Sequence, residues 1–267
     1  MNDVLPDAVG VWQFLEQSAR EVFGTYGFTE IRTPVLEKTE LFCRSIGETT
    51  DIVEKEMYTF SDKSGNSMTL RPEGTAPVMR SIIQNRLAAQ DPVAKLYYIG
   101  PMFRYERPQK GRYRQFHQIG AEAIGVEDPK IDAQILMMLH HFFTRIGISS
   151  VSLEINSLGC PVCRPDYRRQ LIQYLEERLE PLCSECQRRY QNNPLRVLDC
   201  KVEACRAATA DAPAMVEHLC DECDQHFSQV RRYLDLLKVP YIVNVRMVRG
   251  LDYYVRTTFE VVTDLLG

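Results

Sequence analysis

Apolar positions recur at helical spacing from the start of the chain. Trp12, Leu15, Ala19, Val22, Phe23 and Tyr26 mark one face of a helix predicted over residues 7–26, with Asp7 placed to cap it. Residues 28–34 then alternate as a strand does, and Pro34 confines that strand to an edge or an end. Residues 57–60 and 67–71, separated by the polar run 61–66, read as strand, turn and strand. A helix is expected from Pro77 to about Ala88. Lys95–Gly100 and Gln115–Ile124 are two further strands with a charged segment between them. Asp128-Pro129 opens a helix carrying Ile131, Ile135, Leu136, Met138, Leu139, Phe142 and Phe143, and Val151–Asn156 alternates as a strand.

The pattern changes after Asn156. Two amphipathic helices are expected, one through Tyr167, Leu171, Tyr174, Leu175 and Leu179, the other through Phe227, Val230, Tyr233, Leu234 and Leu237. Strand-like sequence returns over Tyr241–Met247 and Thr257–Val262. The chain thus reads as a mixed sheet-and-helix (α+β) domain interrupted by a small helical insertion.

Composition changes this picture in two places. Net charge is −4, which excludes a basic wrapper of nucleic acid but not a local basic site. Eight of the nine cysteines fall between Cys160 and Cys223, inside the predicted insertion. The start, MNDVLPDAVG, has neither the basic nor the apolar part of a secretory signal, and no run approaches a membrane span, so a cytoplasmic protein with no membrane partner is expected. In a reducing compartment, clustered cysteines point to metal ligands or free thiols rather than disulfides.

Four segments could carry chemistry. Arg104, Arg107, Lys110, Arg112 and Arg114 crowd a loop with one acid, Glu106, and forked guanidiniums suit phosphate oxygens; a solvated hairpin tip is the alternative. On the strand that follows, alternation puts Gln118, Gly120 and Glu122 on one face, a floor on which a small ligand could lie, or else simply a solvated face. Phe116 and His117 on this strand are packing residues unless a stacking or basic role is shown. In LRPEGTAP, residues 70–77, Glu73 and Thr75 could together hold an ammonium group; otherwise Thr75 caps the helix that Pro77 enters. In Arg249-Gly250-Leu251-Asp252-Tyr253-Tyr254, a fixed Arg249 could stabilise charge on a phosphoryl group, or the segment is a turn with two buried tyrosines.

Together these segments resemble the class II aminoacyl-tRNA synthetases, and within them the histidyl-tRNA synthetases. FTEIRTPVLE at 28–37 resembles the first motif of the class, LRPEGTAP the amino-acid-binding turn, FRYERPQKGRYRQFHQIGAE at 103–122 the second motif, and RGLDYY at 249–254 the histidine-specific signature. The resemblance implies a class II antiparallel sheet flanked by helices, with a catalytic core over 1–158 and 240–267 and a cysteine-rich helical insertion over 159–239. It implies histidine activation with ATP and Mg2+, transfer to tRNA(His), and a homodimer. Glu73 and Thr75 would hold the α-amino group and Gln118 the backbone end of L-histidine. Glu122 and Tyr254 would read the imidazole, with Tyr253 lining the pocket. Arg104 would contact the α-phosphate, Glu106 and Phe116 the adenine, and Arg112 the terminal phosphates. Arg249 would stabilise the charge that builds as the carboxylate attacks.

Two departures stand out. The sequence reaches Gly267 without a Gly-x-Gly-x-x-Arg stretch, so an N-terminal catalytic fragment, lacking the third motif and the anticodon-binding domain and weak or inactive in aminoacylation, is expected. The pairs Cys160/Cys163, Cys183/Cys186 and Cys220/Cys223 have the spacing of zinc knuckles, with Cys200/Cys205 a looser pair. Two structural Zn2+ sites would use all eight; free thiols in a small core are the alternative, and spacing leaves the grouping open. Two other functions compete. One is a non-catalytic regulatory subunit of ATP phosphoribosyltransferase, which would have lost parts of these signatures. The other is a zinc-bearing RNA-binding module, which would leave most of the chain unexplained.

Overall fold

A computed structural model describes residues 2–47, 50, 52–90, 92–106, 111–249 and 253–263. The chain divides into two compact units. One holds Met1–Glu127, Gln134–Ile148 and Leu251–Tyr253; the other holds Asp128–Ala133, Ser149–Gly250 and Tyr254–Gly267.

The first unit opens with helix α1 (Pro6–Thr25). Its N-cap is Leu5, with no side-chain cap, and Pro6 supplies the preset φ of the first turn. Asp7 therefore sits inside the first turn, where it favours the positive end of the helix, and does not cap it. Gly27, at φ +79°, ends the helix. The apolar face of α1 buries Ala19 and Phe23 against Phe28, Tyr97, Met138 and Phe142. Strand β1 is only Thr29–Glu30, with one further bond to β5, from the Ile31 N–H to the Tyr97 carbonyl at 2.8 Å.

Next come β2 (Leu36–Lys38), α2 (Thr39–Ile46), a π-helical turn over Ile52–Glu56, and the hairpin β3 (Tyr58–Ser61) and β4 (Ser67–Leu70). The hairpin turn is built as its polar sequence suggested. The Asp62 carboxylate accepts N–H bonds from Ser64 and Asn66, both at 2.8 Å, and Gly65 takes φ +82°. Helix α3 (Thr75–Gln84) begins two residues before Pro77, and a separate short α4 (Leu87–Gln90) follows it. Strands β5 (Ala94–Phe103) and β6 (Gln115–Ile124) form a long antiparallel pair, with β1 parallel on the other side of β5. Helix α5 spans Pro129–Arg145.

The second unit contains β7 (Ser152–Ser157), then α6 (Arg164–Glu176), α7 (Ser184–Arg189), α8 (Leu195–Leu198), α9 (Glu203–Ala208) and α10 (Asp221–Leu237). Strand β8 is limited to Ile242–Val243, parallel to β7, and β9 (Thr257–Val262) pairs antiparallel on the other side. Helix α10 ends on Lys238 in the left-handed region, with the Val239 N–H bonded to the Leu234 carbonyl. One core lies beneath these helices, with Tyr167, Leu171, Leu175, Val197 and four cysteines buried in it. The fold is mixed α/β, as the sequence pattern implied, and each sheet contains antiparallel pairing, as the family resemblance implied. Among the described residues, no helix is long and apolar enough to cross a membrane.

Candidate functional site

The strand face of Gln118, Gly120 and Glu122 forms as alternation requires, but its partner strand changes its meaning. The register sets Tyr98 of β5 opposite Gly120, so both point to one side of the sheet. The Tyr98 ring lies over Gly120, where a Cβ would meet it at 2.2 Å, and equally over Gly74, again at 2.2 Å. The space above Gly120 is therefore filled by a phenol and is not an open floor. Both glycines are needed for this close approach. The Tyr98 hydroxyl accepts a bond from Gln118 Nε2 at 3.2 Å.

Around that hydroxyl the polar groups converge. Thr75 Oγ1 donates to Glu122 Oε1 at 2.7 Å. Glu73, 3% exposed, accepts the backbone N–H groups of Thr75 (2.6 Å) and Ala76 (2.9 Å). Glu73 thus caps α3, the role that pattern reading gives to Thr75, and leaves the threonine hydroxyl for Glu122. Burial raises the pKa of both carboxyls. For Glu73 the two N–H bonds and Arg104 work against the rise. For Glu122 the neighbouring Glu73 adds to burial, and its pKa is pushed up to about 7. Burial and the two acids also raise the Tyr98 phenol, with Tyr253 contributing in the same sense. Two close carboxylates, a hydroxyl pair and an amide form a cradle suited to a small cationic ligand.

A cationic edge adjoins the cradle. Arg104 Nε donates to the carbonyl of Pro72, one residue before Glu73, at 2.9 Å. Its guanidinium lies 5.2 Å from the centre of the Phe116 ring and 4.0 Å from Glu106. Arg112 reaches the same Glu106 at 3.3 Å. Arg114 covers the Tyr105 ring at 4.2 Å and bonds the Glu106 carbonyl at 3.2 Å. Arg104, Glu106, Arg112 and Phe116 are thus one group, while Arg107 and Lys110 lie outside the described residues. His117 faces away and packs edge-on against Trp12, with ring centres 4.7 Å apart. In the second unit Arg249 stacks 5.3 Å from the centre of the Tyr254 ring. Gly250, Leu251 and Asp252 of that signature lie outside the described residues.

Pattern reading misses two residues. Tyr98 could have been found from Gly120, since a glycine on a strand face marks close approach by something across the ladder. Arg71 left no such signal. It is 6% exposed and ties three segments together, with Nε on the Pro101 carbonyl (2.9 Å) and Nη1 on the Thr33 carbonyl (2.8 Å). A cavity of about 420 Å³ in the second unit is lined in part by Asp199, Lys201, Arg206, Asn244 and Arg246. Arg246 Nη1 is buried without a hydrogen-bond partner.

The sequence family described as histidyl-tRNA synthetase matches residues 1–267. The histidine–tRNA ligases of Syntrophotalea carbinolica and Geobacter metallireducens are 68% and 67% identical, each over 100% of this chain and 64% of the relative. The chain therefore spans about 64% of the length of these relatives. The apo histidyl-tRNA synthetase of Staphylococcus aureus matches at TM-score 0.76 and 40% identity, over 98% of this chain and 60% of that one. A Bacillus halodurans structure described as an ATP phosphoribosyltransferase regulatory subunit/histidyl-tRNA synthetase matches at TM-score 0.69 and 21% identity, over 100% of this chain and 72% of that one, a likeness of fold alone.

Proposed function

The chain belongs to the histidyl-tRNA synthetase family, and from that premise we propose that it carries the histidine-activating chemistry of a histidine–tRNA ligase. The observation that supports this most is the cradle of Glu73, Thr75, Gln118 and Glu122 around Tyr98, tied through Pro72 to the Arg104 edge. The α-amino group of histidine fits the Glu73–Thr75 side and Gln118 orients its carboxylate. Glu122, with a pKa of about 7, is matched to an imidazole that titrates near ~6.5. A pocket that bonds both ring nitrogens rejects apolar analogues, because its own polar groups would be left unpaired.

ATP, as its magnesium complex, takes the cationic edge. Phe116 stacks on the adenine beside Glu106, Arg104 holds the α-phosphate and Arg112 the terminal phosphates. A carboxylate oxygen of histidine then attacks the α-phosphorus, forming histidyl-adenylate as pyrophosphate leaves. The protein's part is positioning and charge stabilisation, with no proton to move. The family pattern gives Arg249 the charge on the α-phosphate, Tyr254 an imidazole nitrogen and Tyr253 the pocket wall. The terminal ribose of tRNA(His) takes the histidyl group and releases AMP.

We assign 1–158 and 240–267 to the catalytic core and 159–239 to an insertion, in a cytoplasmic homodimer. The regulatory-subunit reading is disfavoured, because the relatives that share 67–68% identity are named as ligases. The test is histidine-dependent ATP–pyrophosphate exchange, together with calorimetric titration of histidine into the chain. One-to-one histidine binding is expected, with exchange weaker than in the longer relatives. Absence of both would overturn the proposal.

A further inference from the structure

Histidine activation has no use for the eight clustered cysteines, and the structure sorts them in a way their spacing leaves open. Cys160, Cys163, Cys220 and Cys223 form one quartet, and Cys183, Cys186, Cys200 and Cys205 another. Within each, the four sulfurs lie within 4.8 Å of one another. The Sγ–Sγ separation is 3.7 Å for Cys160–Cys163, 3.8 Å for Cys160–Cys220, 3.9 Å for Cys163–Cys223 and 3.9 Å for Cys183–Cys200. A disulfide would need about 2.05 Å, and all nine cysteines are free. A tetrahedron of thiolates about 2.3 Å from a zinc ion has edges of about 3.8 Å. Each quartet therefore stands near the size of a closed tetrathiolate shell, and is too tight for a multi-iron cluster.

Backbone N–H groups are directed at the sulfurs of both quartets. The Cys160 N–H points at Cys163 Sγ (3.1 Å), the Val162 N–H at Cys160 Sγ (3.4 Å) and the Cys183 N–H at Cys205 Sγ (3.1 Å). Such N–H groups offset the charge that four thiolates leave on a divalent ion. The quartets also sit where the chain needs fastening. Cys163 and Cys220 are the N-cap residues of α6 and α10, and Cys183 is the N-cap residue of α7. Helices α7, α8 and α9 have six, four and six residues, too short to persist without tertiary support. Four of the twelve buried residues in their core are cysteines.

We propose that residues 160–223 bind two zinc ions as nested structural staples. The outer one joins Cys160 and Cys163 to Cys220 and Cys223, and the inner one, within that loop, joins Cys183 and Cys186 to Cys200 and Cys205. Soft thiolates select zinc, and four protein ligands leave no open position for catalysis. Loading each site releases four thiol protons and changes no oxidation state.

The experiment is metal analysis of the full chain purified without chelator, and it stands apart from any activity. Two zinc ions per chain are expected, falling to one in Cys160→Ser and in Cys183→Ser and staying at two in Cys43→Ser. Should the serine variants fail to fold, cobalt loaded into the unaltered chain must give the visible ligand-field bands of a tetrahedral tetrathiolate. Less than about half an equivalent after reconstitution with zinc, iron in place of zinc, or cobalt bands of an octahedral oxygen site would each overturn the assignment.

Discussion

Replacing Glu122 by glutamine removes a charge while keeping an oxygen for the Thr75 hydroxyl to bond. In the folded chain this carboxyl is lifted from 4.5 to about 7, chiefly by burial and then by Glu73. An acid whose pKa is raised by folding adds stability below its unfolded value, near 4.5, and that contribution is lost as pH climbs through about 7. At roughly 1.4 kcal/mol per pH unit the ionised form burdens the folded state by up to about 3 kcal/mol at pH 8. Partial solvent access reduces this toward about 1–2 kcal/mol. The E122Q chain should therefore be more stable than the unaltered chain at pH 8, with the gap closing toward pH 4.5, and should lose histidine affinity. Trp12 is the sole tryptophan and lies in the same compact unit, so its fluorescence during urea unfolding reports on the relevant part of the chain. A variant less stable at pH 8, or a gap unchanged between pH 5 and pH 8, would refute the electrostatic argument.

Two further substitutions test the neighbouring geometry. Gly120→Ala places a methyl 2.2 Å from the Tyr98 ring, so it should cost about 1–3 kcal/mol in the same urea assay and weaken histidine binding. Pairing it with Tyr98→Leu should restore part of the stability but not the binding, whereas equal stability of Gly120→Ala and the unaltered chain would mean that the ring is free to move. Arg104→Lys loses the Nε–H bond to Pro72 and the planar stack on Phe116, so ATP affinity should fall about 10- to 100-fold while histidine affinity changes little; calorimetry with each ligand separates the two, and an equal loss for both would point to a misfolded cradle.

Much of the fold can be read from local sequence because local rules govern it. The hairpin over 58–70 follows from Asp62 and Gly65, and β6 and β9 run over the residues that alternation marks. Where a rule has two candidates, the structure chooses: Glu73 rather than Thr75 caps α3, and Pro6 rather than a capping Asp7 opens α1. Short strands such as β1 and β8 fall below their predicted lengths because pairing depends on a neighbour that local sequence does not contain.

The sequence by itself determined which residue types are available: two acids, a threonine and a glutamine on strand and turn, arginines on a loop, and cysteines in knuckle pairs. Only tertiary structure decided what they meet. Tyr98 enters the cradle because the β5–β6 register sets it opposite Gly120, and register is a property of two strands. Glu122 acquires its raised pKa from burial beside Glu73, which is 49 positions away in the chain but adjacent through Thr75. The cysteines of the outer quartet come together across sixty residues, since Sγ positions are fixed by helix packing and not by spacing.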